Sequence, residues 1–267
     1  MENALDENLF NELQATFPSD KTIRDGRNKA DTWFDYPASK VLKDPTISTQ
    51  WKDFFRHHTS KDFFLELVDI AGDALIKTNP ELEKRIGVPI KDFKVAMRPG
   101  GRQDTLAPGA DISMECQFYI NYSEKPRTVR GPHIDRPSEL FAALLYFRQP
   151  EDDSIGSDLE ICKAEKSLYS NKTTVSVTDL PAEIDPALVT TINSAPYKAN
   201  TLVLFLNSPE SIHAVSPRTP TLLTRRHINF CCDVPHDLFQ IKLPLKLKLK
   251  RKISDLPFGW RLAKYIN

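Results

Sequence analysis

Gly131-Pro132-His133-Ile134-Asp135 and, eighty residues later, Ser208-Pro209-Glu210-Ser211-Ile212-His213-Ala214-Val215 are the stretches from which the fold is read. Each is a proline-bearing turn that feeds extended chain. His133 and Asp135 are two residues apart. On an extended strand such residues point to the same side, so an imidazole and a carboxylate aim at one place. His213 adds a second imidazole if the fold brings it back. Two imidazoles and one carboxylate on one face of a metal leave three positions open, a donor set suited to Fe(II).

Working outward, the chain from about residue 91 to 240 reads as short strands separated by turn chemistry. Phe93–Met97, Ile112–Asn121, Leu140–Phe147, Asp158–Lys163, Thr173–Val177, Thr201–Leu206, Ile212–Val215 and Thr224–Val234 all have strand texture. Leu140–Phe147 is nearly all apolar, as expected of a strand covered on both faces. Many short strands of this kind predict a sandwich or jelly roll. Residues 1–90 read as helical. Leu9, Phe10 and Leu13 share one helical face, and Ser60 is an N-cap for an apolar-periodic run from Phe63 to Leu75. A shorter helix over Glu81–Ile86 ends at Gly87. Such helices suit a layer on one face of a sheet. Residues 241–267 alternate Lys with Leu and Ile and read as an edge strand of the same globular unit, with the lysines opposing self-pairing.

Composition bounds the function. With 267 residues, 40% of them hydrophobic and 27% charged, the chain has material for a core. The 36 basic and 36 acidic residues cancel, so neither nucleic acid nor an anionic membrane is an expected partner. Apolar runs such as Thr201–Leu206 are far too short to span a bilayer, and the N-terminus lacks the pattern of a signal peptide. The four cysteines show no CxxC spacing, which argues against structural zinc. A reduced, cytoplasmic protein, monomeric or homodimeric, is the expectation.

Of six histidines, His57 and His58 have no carboxylate at ligand spacing and read as surface residues, and His236 lies in the turn Asp233-Val234-Pro235-His236-Asp237. His133 and His213 stand apart through their turn-to-strand context. Gly131-Pro132-His133-Ile134-Asp135-Arg136-Pro137, then Leu144-Leu145-Tyr146-Phe147, Asp158-Leu159-Glu160-Ile161, Asn200-Thr201-Leu202-Val203-Leu204-Phe205 and His213-Ala214-Val215 follow in order, before an Arg that opens an apolar strand. This succession resembles the 2-oxoglutarate- and Fe(II)-dependent oxygenase superfamily, in its prolyl-hydroxylase-like branch, over about residues 112–234.

The resemblance implies a mainly β fold with α: a double-stranded β-helix, jelly-roll or cupin-like, with the N-terminal helices on one face. It implies His133, Asp135 and His213 as catalytic metal ligands, Fe(II) as cofactor, 2-oxoglutarate and O2 as co-substrates, and ascorbate as an accessory reductant. The co-substrate's distal carboxylate needs a deep cation, and Arg suits a bidentate contact. Arg218, five residues after His213, reads as loop; Arg225 and Arg226 are twelve and thirteen after it. Strand alternation puts Arg225 with the polar set His227, Asn229 and Cys231, and Arg226 with Ile228, Phe230 and Cys232. Arg225 is therefore favoured as the co-substrate anchor, with Arg226 the alternative.

Tyr119 and Asn121 share a strand face and are further co-substrate candidates; Arg136, Arg102, His227 and Asn229 are candidates for substrate binding. With Asp135 present, hydroxylation or a related oxidation is expected rather than halogenation. The expected substrate is a small molecule such as an amino acid or other metabolite, oxidised with release of succinate and CO2. A peptidyl or prolyl hydroxylase is an alternative. So is a cupin-type metal enzyme independent of 2-oxoglutarate, and so is a non-catalytic β-sandwich binding module.

Overall fold

A computed structural model describes residues 1–27, 32–100, 106–124, 127–164 and 184–239. The candidate residue Arg102, the strand expected over Thr173–Val177 and the lysine-rich tail from residue 241 lie outside them.

Six helices lead into the β region: α1 (Glu7–Ala15), α2 (Asp20–Arg24), α3 (Ala38–Val41), α4 (Thr49–His58), α5 (Lys61–Thr78) and α6 (Leu82–Ile86). Their ends follow local chemistry. The side chains of Asp6, Ser19, Ser48 and Ser60 accept from main-chain N–H groups in the first turns of α1, α2, α4 and α5. Gly87 closes α6 at a left-handed φ of 94°, a region glycine enters without steric cost.

The strands are β1 (Trp33–Pro37), β2 (Val95–Met97), β3 (Ile112–Ser123), β4 (Arg127–His133), β5 (Glu139–Tyr146), β6 (Leu159–Ala164), β7 (Val189–Ala195), β8 (Thr201–Leu206), β9 (His213–Arg218) and β10 (Thr221–Asp233). They form two sheets. The larger has the order β1-β3-β10-β5-β8, with β2 added to β3; the smaller has the order β4-β9-β6-β7. Among the described residues every pairing is antiparallel except β2 with β3.

The N-terminal region departs from the purely helical reading. Trp33–Pro37 is a strand paired along Asn121–Gln117 of β3. Its alternation of large apolar residues with Asp35 is the strand signal, here hidden between two helical stretches.

The helices cover one face of the large sheet. Phe10, Leu13, Trp51 and Phe55 of α1 and α4 share a core with Phe118, Ile120, Leu145, Ile228 and Phe230 of the strands. Trp51 is its hub: its ring lies 4.7 Å from that of Phe118, and its Nε1 donates to the carbonyls of Leu13 and Thr16. Each such side chain contributes about 1.5–3 kcal/mol on burial. Phe64, Val68 and Leu75 of α5 extend the packing over Phe141 and Cys232.

Because alternate strand residues point to opposite faces, the other face of the large sheet is polar. Register aligns Arg225, His227, Asn229, Cys231 and Asp233 of β10 with Asn121, Tyr119, Gln117, Glu115 and Ser113 of β3. This face looks toward the small sheet: the Phe205 ring of β8 lies 4.5 Å from the His213 ring of β9.

Two residues expected elsewhere are drawn into the structure. Arg218, read as loop, ends β9 and is buried, bound to Asp152 Oδ2 at 2.6 Å and Ser154 Oγ at 2.9 Å. His58, read as surface, stacks on Phe54 and packs against Phe63 and Phe230. Burial lowers its pKa to about 4.

Candidate metal centre

The small sheet carries the two histidines. His133 ends β4, His213 begins β9, and the two are direct cross-strand partners. Their ring centroids are 4.1 Å apart. Asp135 lies just past β4 and reaches both: Oδ1 is 3.6 Å from His133 Nε2, and Oδ2 is 3.6 Å from His213 Nε2. One ligand atom from each of the three residues lies within 4.8 Å of the others.

Each imidazole is oriented from behind. His133 Nδ1 is 2.9 Å from the Gly131 carbonyl, and His213 Nδ1 is 2.9 Å from the Ser211 carbonyl. A carbonyl only accepts, so both Nδ1 atoms carry the proton and both Nε2 atoms present a lone pair to the centre. Partners of this kind behind ligating histidines fix tautomer and ring angle. Burial, the neighbouring His213 and Arg130 hold the His133 pKa well below its usual range, so its ring is neutral and ready to ligate.

The loops bearing these ligands are pinned together. Asn207 Nδ2 donates to the carbonyls of Arg136 and Glu139, while its Oδ1 accepts from Ser211 Oγ. Asn207 is fully buried, and its amide thereby links the Asp135 loop to the residue whose carbonyl orients His213.

Deeper on the polar face lies Arg225, 2% exposed. Its Nε donates to the Ser157 carbonyl and its Nη1 to His227 Nδ1 at 3.1 Å. The guanidinium sits over the rings of Tyr146 and Tyr197, at 4.9 and 5.1 Å. Among the described residues no carboxylate pairs with it, and Nη2 is buried with no hydrogen-bond partner. Nearby, the buried hydroxyl of Tyr146 reaches no acceptor, and the Arg225 guanidinium beside it offsets part of the upward push that burial gives its pKa. A buried guanidinium nitrogen and a buried hydroxyl without acceptors are costly. A carboxylate satisfies both. His227, forced neutral by burial and the Arg225 charge, acts as an acceptor for the guanidinium.

Arg226 faces the other way. Its guanidinium lies over Phe17 and 3.4 Å from Asp20. Asn121 is the cross-strand partner of Arg225, and its buried Oδ1 has no partner. Tyr119 lies against His227 at 4.7 Å and stacks on Trp33. Arg136 binds Glu139 and Asp233 within the protein, so its charge is already matched by carboxylates. Asn229 is half-buried on the polar face, two residues beyond His227.

Tyr146, Tyr197 and Asn207 carry the site without having been singled out in the sequence. Tyr146 had a signal, since alternation along Leu144-Leu145-Tyr146 puts it on the face opposite Leu145. Asn207 had none, because its partners are main-chain atoms of a distant loop.

Among solved structures, this fold is similar to a prolyl-4-hydroxylase from Pseudomonas putida, at 15% identity over 88% of this chain and 91% of that one, with a TM-score of 0.41. It is similar to IDO from Bacillus thuringiensis, at 11% identity over 88% and 92%, with a TM-score of 0.44. It is also similar to HygX from Streptomyces hygroscopicus with nickel and 2-oxoglutarate bound, at 11% identity over 88% and 81%, with a TM-score of 0.36. Two further neighbours are a 2-oxoglutarate–Fe(II) oxygenase family member from Burkholderia pseudomallei and the Fe(II)/α-ketoglutarate-dependent dioxygenase TqaL. No family model and no curated protein matches the chain. With every one of these TM-scores below 0.5, the functional reading rests on the site's own geometry. Among the described residues no helix is long and apolar enough to cross a membrane.

Proposed function

We propose that the chain is an Fe(II)- and 2-oxoglutarate-dependent dioxygenase that oxidises a small molecule, with its two sheets forming the double-stranded β-helix of that class. The observation that carries this reading is the conjunction of the His133–Asp135–His213 triad with a buried, unpaired Arg225 on the facing sheet. A metal site alone fits many chemistries. A deep cation that lacks a carboxylate, beside a phenol that reaches no acceptor, fits a dicarboxylic co-substrate with one end on the metal.

The donor set fits Fe(II): two imidazoles and one carboxylate. His133, Asp135 and His213 would hold the metal. Arg225 and Tyr146 would hold the distal carboxylate of 2-oxoglutarate, and Asn121 lies across β3 from that anchor. The chemistry supplied by the bound pair is oxidative decarboxylation of 2-oxoglutarate to succinate and CO2, coupled to oxidation of a substrate C–H bond. The protein's part is to orient its imidazoles through Gly131 and Ser211, and to keep the anchor dry between Tyr146 and Tyr197.

Anaerobic titration with Fe(II) and then 2-oxoglutarate tests the reading. One iron per chain, and a visible charge-transfer band on addition of 2-oxoglutarate, are expected. His213→Ala abolishes both. Stoichiometric iron retained by His213→Ala, or succinate never formed by the iron-loaded protein, would overturn it.

A further inference from the structure

A group of buried charges lies on the polar face beside the triad, and the proposed chemistry does not use it. Arg136, next to Asp135, binds Glu139 and Asp233. Asp233 also binds Arg98, whose Nη2 lies 3.1 Å from Cys231 Sγ. Arg98 Nη1 approaches Glu115 Oε2 only to 3.9 Å. The group therefore runs from the metal ligand loop across β10 to β3.

Its charges do not balance. Three carboxylates (Glu115, Glu139 and Asp233) face two guanidiniums (Arg98 and Arg136). The two guanidiniums make their close contacts with Asp233 and Glu139, which leaves Glu115 with one long ion pair, to Arg98 at 3.9 Å. Glu115 is fully buried. Its Oε1 accepts from the main-chain N–H of Ala38 and of Cys116, at 3.1 and 3.0 Å, but its Oε2 has no hydrogen-bond partner. Arg98 Nε, equally buried, is a donor without an acceptor. Burial raises the Glu115 pKa to about 7 against the opposing pull of the Arg98 charge.

An orphaned acceptor and an orphaned donor on adjacent charged side chains select a ligand that offers both. We propose that Glu115 Oε2 receives a protonated amine of the substrate and Arg98 Nε an oxygen beside that amine, as in the head group of an α-amino acid or a vicinal amino alcohol. This rests on the oxygenase reading of the neighbouring triad and specifies the substrate class of that site.

The test uses the whole iron-loaded protein with 2-oxoglutarate. The probes are free L-amino acids, 2-amino alcohols and the N-acetyl derivative of each, which removes the positive charge. Thermal protection and stimulation of succinate formation are read for wild type and for Glu115→Gln. Gln keeps the Oε1 contacts to Ala38 and Cys116 while removing the charge. A free amine that protects and stimulates wild type is expected, with its N-acetyl form inactive and its affinity reduced about tenfold or more in Glu115→Gln. Amino acids outranking amino alcohols would assign the Arg98 contact to a carboxylate, and the reverse order to a hydroxyl.

A ligand-free measurement separates this from a structural ion pair. If Glu115 awaits a substrate cation, the empty Glu115→Gln protein melts no lower than wild type. A clear drop would make Glu115 the structural counter-ion of Arg98 and overturn the proposal. So would equal potency of the N-acetyl probes, or no response to any free amine while basal succinate formation is intact. Loss of basal succinate formation in wild type would instead overturn the oxygenase reading itself.

Discussion

The side-chain amide of Asn207 donates to the main-chain carbonyl of Arg136 at 2.7 Å and so fastens the loop that holds Asp135. The same amide accepts from Ser211 Oγ, and the Ser211 carbonyl orients His213. One buried side chain thus couples two ligands that are far apart in sequence. Asn207→Asp keeps the shape but turns the donor into an acceptor facing two carbonyls. Affinity for Co(II) or Fe(II) is expected to fall about 10–100-fold, the usual cost of losing outer-shell support. A lowered melting temperature with unchanged metal affinity would show the amide to be structural only.

Arg225 and Arg226 are adjacent and should behave as opposites. Arg225→Lys keeps a charge but loses the fork, and 2-oxoglutarate affinity should drop about 10–100-fold. Arg226→Ala removes a partly exposed contact to Asp20, worth about 0–1 kcal/mol of stability, and should leave that affinity unchanged. Isothermal titration with 2-oxoglutarate on both variants decides the matter; the reverse ranking would mean that Arg225 is not the anchor.

Tyr146→Phe deletes a buried hydroxyl that reaches no acceptor. Its loss should be neutral or stabilising by up to about 1 kcal/mol, because an unsatisfied buried group is itself a cost. Binding of 2-oxoglutarate should weaken in the same variant. A destabilised Tyr146→Phe that binds normally would assign the hydroxyl to the fold.

Glu115 makes a specific pH dependence. Its pKa is raised from 4.5 to about 7 by burial. A raised acid binds more protons folded than unfolded, so its contribution to stability is fully present below pH 4.5 and is lost as pH rises through 7. His58 has the opposite sign: with its pKa lowered to about 4, its contribution holds above pH 6.5 and is lost as pH falls through 4. The melting temperature of Glu115→Gln, relative to wild type, should therefore climb between pH 5 and pH 8. A difference that stays flat across that window would contradict the raised pKa of Glu115.

The Arg218–Asp152 pair tests the buried end of β9. Both side chains are fully buried and joined at 2.6 Å. Asp152→Asn strands the guanidinium and should cost about 3–5 kcal/mol in chemical denaturation. A loss below about 1 kcal/mol would indicate that Ser154 and the Leu223 carbonyl suffice to hold Arg218.

Period-2 patterning made the β region readable, because every second residue of β10 and β3 must meet either helices or the polar interior. β1 was unreadable for a related reason. It is five residues long and sits between helices, so its pattern is too short to stand out. His58 looked like a surface residue because nothing local reports that Phe54, Phe63 and Phe230 converge on it. Arg218 looked like loop because Pro217 and Pro220 flank it.

By itself the sequence determined the spacing of His133 and Asp135, the return of a histidine at 213, and the side of β10 on which Arg225 stands. These are consequences of local geometry and alternation. Only the tertiary structure decided that His213 lies across from His133 and that Asp135 reaches both. It also decided that the Tyr146 hydroxyl and Arg225 Nη2 are left without acceptors, and that Asn207 binds the two loops together. Those relations depend on sheet register and on which buried polar atoms remain unpaired, and burial is a property of the assembled core rather than of any segment.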